Sequence, residues 1–147
     1  MKRKKIAITI AVVVIIITTI AAGLLWFEIA GSKLYTYPIS VGEKIYIITV
    51  STNWNSAPKV YLSNSSLTNL KYISVDFIGS CRKTVTFSIK VPTNLLWGNI
   101  SLVWKYYEQN PNRYNLSNDG THIYVQMTFN HVAADEHFEI HGTNGAW

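Results

Sequence analysis

The sequence predicts an all-β protein, an antiparallel β-sandwich of immunoglobulin-like layout, preceded by one N-terminal transmembrane helix. Three observations lead there. Residues 6–27 contain no charged side chain. Beyond residue 33 the apolar residues recur with period two, the signature of half-buried strands. Clusters of Gly, Pro, Asn and Ser then cut that pattern into seven or eight short runs with no helical stretch between them, which excludes a parallel α/β sheet.

The N-terminal run follows Lys2, Arg3, Lys4 and Lys5, and its polar side chains are Thr9, Thr18 and Thr19. As a helix, residues 6–27 rise about 33 Å, enough to cross a hydrocarbon core of about 30 Å. The β-branched stretch from Val12 to Ile17 is compatible with a strand, but in lipid a helix satisfies its own backbone groups and an isolated strand does not. The basic cluster keeps residues 1–5 cytoplasmic and sends the rest outside. A cleaved secretory signal is the alternative, with Thr19-Ile20-Ala21 as its site. The apolar run continues through Leu24, Leu25, Trp26 and Phe27, longer than a usual signal core, which favours an uncleaved signal-anchor. Residues 28–33 read as a connector and 34–147 as an extracellular domain.

Within that domain the clearest strand is Thr84 to Val91, where Val85, Phe87, Ile89 and Val91 alternate with Thr84, Thr86, Ser88 and Lys90. The same alternation predicts strands over Lys44 to Ser51, Lys59 to Ser63, Leu70 to Phe77, Asn99 to Tyr107, His122 to Asn130 and His137 to Gly142, with a weaker one over Leu34 to Pro38. Asn110 to Asp119 reads as the longest polar loop. The cysteine pair of antibody domains is missing, so the likeness to that class is architectural.

Charge and cysteine content exclude several functions. Thirteen Lys and Arg against eight Asp and Glu give a net charge of +5. Four of those basic residues precede the apolar run, leaving nine against eight for the remainder. A near-neutral exterior domain has no basic surface to neutralise phosphates, which sets nucleic acid aside. Cys81 is the sole cysteine, so no disulfide forms within the chain, and it reads as a small buried hydrophobe. No GxSxG, phosphate loop, dinucleotide fingerprint or paired-carboxylate motif is present, so the sequence predicts no enzyme and no cofactor.

Candidate sites remain. Asn64-Ser65-Ser66, Asn99-Ile100-Ser101 and Asn115-Leu116-Ser117 match the N-glycosylation pattern. Trp54 and Trp97 fall in predicted loops, where exposed rings stack on sugars; Trp104 falls on the inward face with Leu102. All four histidines lie in the last 26 residues. A hairpin through Ala133 to Asp135 would bring His131 near His137, with Asp135 or Glu136 close by, a drawable zinc or copper site. The opposing reading is that His137, Glu139 and His141 form a solvated strand face.

The segments Val91-Pro92-Thr93-Asn94-Leu95-Leu96-Trp97-Gly98, Asn118-Asp119-Gly120-Thr121-His122, Phe129-Asn130-His131 and Ile140-His141-Gly142-Thr143 resemble a recurrent β-module of archaeal exported and cell-surface proteins, often found next to membrane anchors. The resemblance spans a little over a third of the chain and implies no established catalytic activity. After Gly98 the sequence departs from it, with Trp104-Lys105-Tyr106-Tyr107 and a longer loop. Physically, Pro92 ends a strand, Leu95 and Leu96 plug the sandwich end, and Gly98 frees the backbone to re-enter the sheet. The expected function is a membrane-anchored, non-catalytic structural or binding protein of the cell surface, whose partners are the lipid bilayer and other surface proteins or glycans. A carbohydrate- or metal-binding module and a strand-exchanging filament subunit are the alternatives.

Overall fold

The computed structural model describes residues 31–64, 70–81, 83–105, 107–130 and 134–147. In chain order its strands are β1 Lys33–Val41, β2 Lys44–Thr52, β3 Lys59–Asn64, β4 Lys71–Phe77, β5 Thr84–Pro92, β6 Leu96–Trp97, β7 Ser101–Trp104, β8 Tyr107–Glu108, β9 Tyr114–Asn118, β10 His122–Asn130, β11 Glu136–Gly142 and β12 Asn144–Gly145. A 3-10 turn at Pro111–Arg113 precedes β9.

Two five-stranded sheets hold most of these strands. The first runs β1-β2-β5-β10-β9, the second β3-β4-β11-β7-β8, and β12 and β6 form a small ribbon. Every pairing is antiparallel. Alternation decides which side chains meet between the sheets. Val85, Phe87, Ile89 and Val91 of β5 are fully buried, as are Ile73, Val75 and Phe77 of β4 and Phe138 and Ile140 of β11. Rings interlock across the gap, Phe87 4.7 Å and Phe129 5.1 Å from Phe138, while within the second sheet Trp104 stacks on Phe138 at 5.6 Å. The result is a sandwich-like all-β fold with one apolar core.

Several sequence expectations need correction. The weak first strand is a full nine-residue strand, because Tyr37, Ile39 and Val41 pack against the core. The long polar loop contains β9, where Tyr114 is buried and Leu116 stays 45% exposed at the sheet edge. The single strand over Asn99 to Tyr107 is two, since Lys105 adopts φ 52 and the chain reverses between β7 and β8. Finally, β10 and β11 do not form a hairpin. They belong to different sheets.

The turn after β5 and the chain after β11 lock one end of the sandwich. Leu95 and Leu96 are fully buried there. Thr93 donates from its amide to the Thr121 carbonyl at 2.9 Å. Gly98, at φ +91, passes so close to Thr143 that a Cβ would stand 2.8 Å from its side chain. Among the described residues no helix is long and apolar enough to cross a membrane; the predicted anchor, residues 6–27, lies outside them.

Candidate binding face

The most concentrated chemistry lies on the outer face of the second sheet. Alternation turns Tyr72, Ser74 and Asp76 of β4 and His137, Glu139 and His141 of β11 away from the core, and the register sets them opposite one another: His137 against Asp76, Glu139 against Ser74, His141 against Tyr72. On the far side of β4, Lys59, Tyr61 and Ser63 of β3 continue the same rows.

These side chains form one connected array. His137 pairs through Nδ1 with the Asp76 carboxylate and through Nε2 with Glu139 Oε1 at 2.9 Å. His141 meets the other oxygen of Glu139 through Nε2 at 2.7 Å and stacks on the Tyr72 ring at 5.0 Å. Tyr61 directs its hydroxyl at Asp76 and Ser74. Although the array faces outward, only 16% to 29% of the side-chain surface of Asp76, His137, Glu139 and His141 is exposed.

That partial burial and the mutual hydrogen bonds set the charge states. Burial pulls His137 down, but the hydrogen bonds to Glu139 and Asp76 outweigh it and leave the imidazole above its ordinary value. Glu139 is the mirror case. Burial raises it, and the hydrogen bonds from His137 and His141 more than reverse this, so it sits below the ordinary carboxylate value. Burial and then Asp76 push the Tyr61 phenol up, against a smaller opposing effect of Ser74. The array therefore favours an imidazolium held between two carboxylates.

The sequence candidates fare unequally. Trp54 is not an exposed platform: it is 2% exposed, its ring lies 5.4 Å from Phe77, and its indole N–H donates to the Ile78 carbonyl at 3.2 Å. The connection after β2 folds back into the core, which the turn-like composition of that segment concealed. Trp97 is 42% exposed at the end near Gly142. His131 lies outside the described residues. The acids expected near its pairing with His137, Asp135 and Glu136, have other partners. Asp135 accepts the Gly79 amide at 2.7 Å. Glu136, 4% exposed, accepts the Trp104 indole N–H at 2.6 Å and pairs with Lys105 at 3.2 Å. Among the described residues no group of three or more His, Cys, Asp or Glu side chains is placed to hold a metal ion. Nε2 of His137 and Nε2 of His141 face the Glu139 carboxylate while Nδ1 of His137 faces Asp76, so these groups bond to one another instead of converging on a shared point.

Asn64, Asn99 and Asn115 are all exposed. The last two border adjoining shallow depressions of about 420 and 450 Å³ that share Ile100 and Leu116, where the edge of the first sheet meets the start of β7. No acid, base or histidine lines either depression. Sequence reasoning missed Asp76 and Tyr72 as members of the array. The polar rows 72-74-76 and 137-139-141 were visible, but nothing local says that β4 and β11 are neighbours.

No family model, no curated protein and no solved structure matches this chain.

Proposed function

We propose that the protein is a membrane-anchored, extracellular, non-catalytic binding protein of the cell surface, and that the outer face of the second sheet is where it binds. The observation that carries this reading is the connected row Asp76–His137–Glu139–His141, flanked by Tyr61 and Tyr72. The ligand class that suits it is a glycan. Carboxylates and imidazoles exchange hydrogen bonds with sugar hydroxyls, and the Tyr61 ring, 41% exposed, offers a face to a pyranose. Both ring nitrogens of His137 are taken by carboxylates, so the imidazole has no nitrogen left to activate a hydroxyl, which supports a binding role over a catalytic one.

The anchor and the orientation rest on the uncharged run 6–27 behind Lys2 to Lys5. The immunoglobulin-like layout and kinship with the archaeal surface module belong to the same reading. A strand-exchanging filament is less well supported, because Pro38 sits in the middle of edge strand β1 and withholds a backbone donor there. The test is a glycan array probed with the full chain in detergent, beside Tyr61→Ala, Glu139→Gln and Trp97→Ala. The proposal expects binding that Tyr61→Ala and Glu139→Gln each weaken at least several-fold. Binding unchanged in both, or no glycan bound by the parent chain, sinks it.

A further inference from the structure

The end of the sandwich at which β1 begins differs in character from the opposite end. The register places the start of β1, the end of β2, the start of β5 and the end of β10 together, and the end of β4, the start of β11 and the β7–β8 turn on the other sheet. Hydrogen bonds from Asn53 to Thr84, from Trp54 and Ser56 to Ile78, and from Gly79 to Asp135 tie the two sheets' loops into one surface. That surface exposes Leu34 at 61%, Ile78 at 45% and Tyr107 at 76%, spread from the β1 edge to the β8 edge. Between and beside them stand the exposed cations Lys33, Lys59, Lys83 and Lys105. Lys105 is shared with Glu136, Lys59 stands opposite Asp76, Asp135 is committed to the Gly79 amide, and Glu108 is exposed beside Tyr107, which leaves Lys33 and Lys83 as the cations of this end with no acid set against them in the register. The opposite end carries both Glu43 and Asp119 and Lys44 and Lys71, so neither sign prevails.

Apolar side chains interspersed with lysines are the composition that settles at a lipid headgroup boundary. The chain length sets the same requirement independently. Five residues separate Phe27 from Lys33, a reach of at most about 20 Å, so a bilayer holding residues 6–27 lies under this end. A nine-residue strand carries the opposite end roughly 30 Å farther out. We infer that this end of the sandwich, through Leu34, Ile78, Tyr107, Lys33 and Lys83, docks on the anionic headgroup surface of the membrane that anchors the chain. Docking holds the long axis of the sandwich upright and turns the Asp76–Glu139 face sideways, with Asp76 toward its membrane end. The inference rests on the anchor proposed above.

The test uses the full chain reconstituted into vesicles of phosphatidylcholine alone or of equal parts phosphatidylcholine and phosphatidylglycerol, each with a headgroup nitroxide lipid. A fluorophore is attached through Ser80→Cys at the docking end or Glu43→Cys at the far end; the native Cys81 is 1% exposed and stays unlabelled. Docking predicts several-fold stronger quenching at position 80 than at position 43, in the anionic vesicles only. Lys83→Gln is expected to lower the docked-to-free ratio about fivefold, the effect of one lysine at an anionic surface. Equal quenching at the two positions, or quenching indifferent to lipid charge, overturns the inference. So does quenching that vanishes when the protein is diluted in the bilayer, which marks a second copy as the occupant. A chain stripped from the vesicles by alkaline carbonate overturns the anchor and the docking together, whereas a carbonate-resistant chain with position 80 unquenched overturns the docking alone.

Discussion

Replacing Glu139 by Gln keeps the size of the side chain and removes the charge that two imidazoles share. Glu139 is 16% exposed and its two oxygens are 2.9 and 2.7 Å from His137 and His141. A hydrogen bond to a charged group contributes about 1.5–3 kcal/mol. Partial exposure brings each of these nearer the value of a surface ion pair, so about 1–2 kcal/mol for both together is the expected loss. The sign of the pH dependence follows from the direction of each shift. His137 lies above its ordinary 6.5 when folded, so its contribution is complete below that value and disappears as the pH rises through the folded pKa. Glu139 lies below its ordinary 4.5, so its contribution is complete above that value and disappears as the pH falls through the folded pKa. Both act together between roughly pH 4.5 and 6.5. Denaturant unfolding of parent and Glu139→Gln at pH 5.5 and pH 8.5 reads the difference, with proton NMR following the His137 ring. The loss should be larger at pH 5.5, and His137 should titrate lower in the variant. An equal loss at both pH values with an unmoved His137 titration refutes the reasoning.

Other consequences can be measured in the same way. Phe138→Ala removes the ring on which Phe77, Phe87, Phe129 and Trp104 converge and should cost about 3–5 kcal/mol in chemical denaturation. Gly142→Ala sets a Cβ 2.6 Å from Leu96 Cδ1; the strain of overpacking, roughly 1–3 kcal/mol, should appear as a lower midpoint in a thermal melt. Tyr124, raised to about 12 by burial first and then by its hydrogen bond to Asp119, should titrate at lower pH in Asp119→Ala, read by carbon-labelled tyrosine NMR. An unshifted Tyr124 resonance would show that burial alone sets the value.

Much of the fold was legible because it is written in short-range patterns. Period-two alternation marks β2, β4, β5, β10 and β11 within a residue or two at either end. It failed at β9, where one Tyr and one Leu among Asn and Ser carry too weak a signal, and at Lys105, whose left-handed backbone the sequence does not announce. Of the binding face, the histidines and Glu139 could be placed on one side of a strand. Their partner Asp76 lies 61 residues from His137, and no local pattern reaches that far.

By itself, then, the sequence determined an all-β domain behind an uncharged 22-residue run, with a near-neutral balance of charge beyond that run and no internal disulfide. These are properties of composition and periodicity, which each segment carries alone. Only the tertiary structure decided that β10 and β11 part to opposite sheets, that Trp54 turns inward, and that His137 finds Asp76. Those outcomes depend on which strands become neighbours. Closing one apolar core across both sheets chooses the neighbours, and a strand's own residues do not record the choice.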